Sequence, residues 1–109
     1  MTTVTTDKEL SSEIQKDCTK FVLIFSSTCG VCDYAEQVIT QSAYTISVMV
    51  DISIRCESKN CPDFCEKHNV ESVPGLFLFD KNGEEISSML FAPDQDQFLF
   101  WITNNMVDD

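Results

Sequence analysis

Two thiols, Cys29 and Cys32, are separated only by Gly30 and Val31, and they follow closely on an apolar run, Phe21-Val22-Leu23-Ile24-Phe25. Sulfurs at this spacing can be joined and parted. One thiolate attacks a disulfide, and the second thiol attacks the mixed disulfide that results. The attacking group has to be ionised, and a free thiol of pKa about 8.5 is only a few per cent thiolate at pH 7. A drop to about 7, roughly 2 kcal/mol of differential stabilisation, makes it about half thiolate; a further drop gains little, because nucleophilicity falls with pKa. A helix N-terminus supplies such stabilisation through its unpaired N–H groups and the positive end of its dipole. A lone CxxC is moderately specific. One lying between a buried strand and a helix is far more so.

The elements that must position these thiols are legible on either side of them. Residues 21–25 have the length and composition of a buried strand, and residues 31–42 place Ala35, Val38, Ile39 and Ser42 on one helical face. Cys29 then falls at the helix N-terminus, with Cys32 one turn in. Upstream, residues 2–5 fit a short edge strand, and Thr6-Asp7-Lys8-Glu9 fits a capping box. Leu10, Ile14 and Cys18 follow at fourfold spacing, which makes Cys18 a small buried hydrophobe on a helix closed by Lys20. Downstream, residues 46–52 read as a second β-branched strand ending near Asp51. Pro62 opens a short helix that Asn69 ends. Residues 76–79 are a strand, and Lys81-Asn82-Gly83 is a hairpin turn in which the Asn-Gly pair supplies positive φ. Residues 86–91 return as an antiparallel edge. Residues 94–106 close the chain as a helix with Phe98, Trp101, Ile102 and Met106 on one stripe. The order β-α-β-α-β-α-β-β-α is that of an α/β fold, a central mixed sheet with helices on both faces, in one domain over residues 1–109.

A second group of ligating side chains is Cys56, Cys61, Cys65 and His68. The last three are spaced along one helical face, and four such N/S ligands are what structural zinc takes. The spacing matches no standard zinc pattern, and no metal or cofactor is expected. A regulatory Cys56–Cys61 disulfide, or a dimer link through Cys56, is a second reading. The favoured one is simple packing and capping by Cys61 and Cys65, with Cys56 a free loop thiol and His68 a surface helix residue.

The chain carries 18 acidic against 7 basic residues, a net charge of -11. That argues against nucleic acid and anionic membranes, which need a basic patch, and is otherwise a matter of solubility. No apolar run approaches a membrane span, and Met1-Thr2-Thr3-Val4-Thr5-Thr6 lacks the basic start and apolar centre of a secretion signal. A cytoplasmic location is expected, where six cysteines point to redox or metal chemistry rather than a disulfide framework.

This order, with Cys29-Gly30-Val31-Cys32 after the first long strand and Val73-Pro74 before the next-to-last, resembles the thioredoxin family over nearly the whole chain. The resemblance implies a thioredoxin fold and a small thiol–disulfide oxidoreductase. It makes Cys29 the nucleophile, Cys32 the resolving thiol, and Pro74 a cis residue facing them. Val73 would pair backbone to backbone with an extended substrate, beside Thr28, Gly30, Val31 and Phe91. Gly83 matches a family glycine, and Phe64 and Cys65 take core-facing places on the short helix. Implied partners are proteins that contain disulfides, and a reductase or small thiol as electron donor; a monomer is expected. The chain also departs from the family. Leu23, or Ile24, stands where a buried Asp accepts the resolving thiol's proton, and Met49 or a neighbour replaces a nearby Lys. Thr28 replaces a tryptophan, Gln37 a helix-kinking proline, Phe91 a glycine on the substrate surface, and Val31 the proline inside the motif. Residues 54–59 read as an insertion of about six residues. Together these departures imply a specialised or weaker reductant than a standard thioredoxin, or alternatively an adaptor with little turnover.

Overall fold

Every residue of β2 (Lys20–Phe25) is buried, as a central strand covered on both faces requires. In the computed structural model, which describes residues 1–106, it lies in a five-stranded sheet of order β1-β3-β2-β4-β5. β1 (Thr2–Val4) and β2 run parallel to β3 (Ile52–Glu57), whereas β4 (Gly75–Phe79) and β5 (Glu85–Met89) are antiparallel to their neighbours. Period-two alternation divides the core. Phe21, Leu23 and Phe25 face α2 (Gly30–Gln41), α3 (Ala43–Met49) and α5 (Gln95–Asn105), together with Leu76, Phe98 and Trp101. Val22 and Ile24 face α1 (Asp7–Ile14) and α4 (Pro62–Lys67), together with Leu10, Phe64 and Phe77. Among the described residues no helix is long and apolar enough to cross a membrane.

The first helix begins as its capping residues predict: Thr6 Oγ1 accepts the Glu9 N–H at 3.1 Å. It stops at Ile14, so Cys18 lies beyond it in a bend and is only partly buried. Lys20, expected to close that helix, instead opens β2. Its ammonium donates to the carbonyls of Lys16 (2.7 Å) and Asp80 (2.8 Å).

The largest correction falls between α2 and β3. Residues 46–49, read as part of a strand, belong to α3, because Ser42, Ile46 and Val50 are buried at fourfold spacing, which outweighs β-branching. The strand comes later. Ile54 and Cys56 alternate inward, so the supposed insertion at 54–59 is β3 plus part of a single 3-10 turn, Ser58–Asn60. Cys56, expected in a loop, is wholly buried. Asp51 ties the start of β3 to β2, its carboxylate accepting from Thr19 N (2.9 Å) and Thr19 Oγ1 (3.0 Å). These bonds hold its pKa below the ordinary 3.8. Its contribution to stability is therefore present above 3.8 and lost as pH falls through the lower folded value. Asp51→Asn is expected to flatten the acid limb of a pH–stability curve, and an unchanged limb would contradict this role.

Pro62 opens α4, as expected for a first-turn proline, and the helix ends at Lys67, with Asn69 at φ 57° past its end. Between β4 and β5, Gly83 alone supplies positive φ (79°), and an added Cβ there would lie 3.2 Å from Ile14 O. The turn is also organised by Asp80, whose Oδ1 accepts from Asn82 N and Glu84 N. At the last helix Asp94 and Gln97 form a reciprocal capping box.

Candidate active site

Helix α2 starts at Gly30 because Cys29 takes extended backbone angles (φ -106°, ψ 109°) and caps it with its own sulfur. The Cys32 N–H donates to Cys29 Sγ at 3.1 Å, the contact by which a helix N-terminus steadies negative charge on sulfur. Cys29 Sγ also lies 3.9 Å from Val73 O, to which the thiol donates. The Val73–Pro74 peptide is cis. One hydrogen bond to each side therefore brings Cys29, Cys32 and Val73 together.

The two sulfurs differ in access. Cys29 is partly exposed, while Cys32 is 1% exposed and packs in the core with Leu23 and Phe25. Burial, and next its hydrogen bond with Cys29, push the Cys32 thiol up to about 11 from an ordinary 9.0. About a thousandth of such a thiol is ionised at pH 8. Iodoacetamide at pH 8 is thus expected to label Cys29 of the reduced protein and leave Cys32 unmodified; equal labelling would sink this assignment. The raised value also fixes a sign. The folded state holds this proton more tightly than the unfolded chain, so stability of the reduced protein falls as pH rises from about 9 to about 11.

Among the described residues no acid takes the place beneath the pair: Leu23 and Ile24 are both fully buried among apolar side chains. Met49 packs against the same core from α3. The cation on this face is instead Arg55, which pairs with Leu23 in the β2–β3 ladder. Sequence reasoning missed it by assigning it to an insertion; the polar residues alternating with Ile54 and Cys56 were the available signal. Its guanidinium lies 4.1 Å over the Phe25 ring and its Nη2 is 2.7 Å from Glu36 Oε1, which ties β3 to the helix that carries the thiols.

Several large apolar side chains are exposed. Val31 is 56% and Phe91 51% exposed, and Tyr34 and Leu90 are also exposed. Leu76 is opposite Met89, the last pair of the β4–β5 ladder, and Leu90 and Phe91 follow Met89 in the chain. The Leu90 side chain lies against Gly75, where an added Cβ would be 3.5 Å from it. Thr28 and Ser26 hold the turn before the helix by a hydroxyl–hydroxyl bond of 3.2 Å.

His68 is not at this site. It follows α4 on the other face of the sheet, stacks on Phe64 (4.3 Å between rings), and places Nδ1 2.9 Å from Glu85 Oε1. It is also not the surface residue expected, its side chain being 14% exposed. Cys56, Cys61 and Cys65 do converge there, without His68.

A family model for thioredoxin matches residues 1–104. No curated protein sequence matches the chain significantly. Among solved structures, Plasmodium falciparum thioredoxin superposes with a TM-score of 0.82 at 22% identity, covering 95% of this chain and 98% of that one. Fasciola hepatica thioredoxin gives 0.80 at 19% identity over 96% and 99% of the two chains. The oxidised mitochondrial thioredoxin 3 of Saccharomyces cerevisiae gives 0.79 at 18% identity over 95% and 94%. These likenesses concern the fold, and the family model extends over both thiols and the cis proline: the chain belongs to the thioredoxin family.

Proposed function

We propose that the chain is a thiol–disulfide oxidoreductase that exchanges a Cys29–Cys32 dithiol with disulfides in extended protein segments. The observation that carries this reading is the placement of Cys29 Sγ between Cys32 N (3.1 Å) and Val73 O (3.9 Å), reachable from solvent, while Cys32 is not. Cys29 thiolate attacks one sulfur of the substrate disulfide and expels the other as a thiolate, which takes up a proton. Cys32 then attacks Cys29 Sγ, gives up its own proton, and releases the second substrate thiol. Two electrons leave the protein and a Cys29–Cys32 disulfide remains. Val73 offers its backbone to an extended segment, and Val31 and Phe91 offer apolar contact to the substrate's side chains. A reductase or small thiol returns the electrons. The setting is cytoplasmic and the acting species a monomer.

The pair is set to be a weaker reductant than standard thioredoxin. Val31 takes the place of the family proline, and among the described residues Cys32 packs with apolar Leu23 and Phe25, with no carboxylate in that core to accept its proton. Equilibration with a glutathione buffer is expected to give a potential above about -270 mV, and a value at or below it would overturn this part of the reading.

The apolar, exposed Val31 and Phe91 also favour a second reading, an adaptor that binds a partner in one redox state and turns over little. Reduction of insulin disulfides in excess dithiol separates the two. Sustained turnover supports the enzyme, while none, together with a partner held by one redox form only, supports the adaptor.

A further inference from the structure

Three free thiols gather on the face of the sheet opposite Cys29 and Cys32. Cys56 lies on β3, Cys61 is the residue before α4, and Cys65 is one turn into that helix. The turn Ser58–Asn60 folds the chain back so that Cys61 Sγ lies 3.9 Å from that of Cys65, while Cys56 and Cys61 both donate to the Glu57 carbonyl, at 3.6 and 3.4 Å. Two carbonyls, Glu57 O and Ser58 O, accept from these thiols at 3.4–3.9 Å. Cys56 and Cys61 are fully buried, and Cys65 is partly exposed. The cluster therefore has one entrance.

We propose that Cys65 and Cys61 form a second dithiol–disulfide couple, oxidised by small disulfides that enter at Cys65. Cys65 thiolate attacks RS–SR, forming a mixed disulfide and expelling one thiolate, which is protonated to RSH. Cys61 then attacks Cys65 Sγ and loses its proton, and the second RSH leaves. Two cysteines lose two electrons to become a cystine, and one RS–SR becomes two RSH. Closing 3.9 Å to the bond length of about 2.05 Å falls mainly to Cys61, whose backbone is not yet helical (φ -137°, ψ 58°). The proton that Cys61 gives up passes to solvent. Two features anchor the segment during this change. The Asp7 carboxylate holds the α4 N-terminus through Asp63 N (3.0 Å) and Phe64 N (3.1 Å), and Val70 N donates to Cys65 O at 2.8 Å. The sheet separates the two couples, so neither reduces the other within one molecule.

The test is run in full-length protein carrying Cys29→Ser and Cys32→Ser, so that it does not depend on the proposed function of that pair. After incubation with oxidised glutathione, this variant is expected to lose two free thiols to an internal bond, mapped by proteolysis and mass spectrometry to Cys61–Cys65. Adding Cys65→Ser is expected to abolish the bond, and Cys18→Ser to leave it intact. If Cys65→Ser does not fold, the mapping in the parent variant decides alone, with Cys65→Ala as the second substitution. Glutathione adducts without an internal bond, a link through Cys56, or stoichiometric zinc on the reduced protein as isolated would each overturn the proposal.

Discussion

Cys32→Ser protein is expected to accumulate mixed disulfides with its substrates, and Cys29→Ser protein to form none through this motif. The asymmetry follows from access. Cys29 is partly exposed beside the Val73 backbone, whereas Cys32 is buried to 1% and its thiol is pushed up to about 11. Without Cys32, the first exchange proceeds and the intermediate has no resolving sulfur. Without Cys29, a hydroxyl is left that is not ionised at neutral pH, and turnover falls by on the order of 10³-fold or more. The measurement is non-reducing electrophoresis of each variant with a disulfide substrate, alongside insulin reduction. Comparable trapping by both variants would mean that the roles are not divided as access implies.

Leu23→Asp is expected to destabilise the protein by roughly 3–5 kcal/mol at neutral pH. Leu23 is fully buried among Phe21, Phe25, Cys32 and Leu76, and of the groups that could pair with a carboxylate there Arg55 stands opposite it on β3. The nearest candidate, Arg55, is already committed to Glu36 at 2.7 Å. The sign of the pH dependence can be worked out. Burial raises the new carboxyl's folded pKa above its unfolded value of about 3.9, so the folded state binds more protons between the two values. The loss is then smallest at or below about pH 4 and grows as pH rises. Urea midpoints at pH 4 and pH 7 check it, and an equal loss at both would mean that the site already solvates charge. In the folded fraction the same carboxylate provides an acceptor next to Cys32, and disulfide reduction at neutral pH is expected to quicken.

Some of this protein is written in contiguous residues, and that part was legible. The runs that became β2 and β4 are apolar throughout because both faces of those strands are covered. Thr6 and Glu9 interact within one turn, so their capping is a local matter. The place of Cys29 at the start of α2 followed from the same local logic. What was lost depends on partners distant in sequence. Arg55 and Glu57 resemble loop residues until Glu36 and Lys59 neutralise them on a strand. Ile46, Val48 and Val50 favour a strand by type, yet burial at every fourth residue makes a helix of that segment. The convergence of Cys56 with Cys61 and Cys65 needs both the end of β3 and the turn after it. Spacing alone could suggest that cluster but could not assemble it.

Lys20 has a consequence outside redox chemistry. Its side chain is 0% exposed, held by two carbonyl oxygens at the head of the central strand, whereas Lys8, Lys59 and Lys81 lie at more accessible places. A lysine-specific protease can cut the Lys20–Phe21 bond only after the sheet itself comes apart. When opening and closing are fast relative to cleavage, the rate of that single cut follows the population of the open chain. The molecule thus contains its own gauge of unfolding, readable from one peptide.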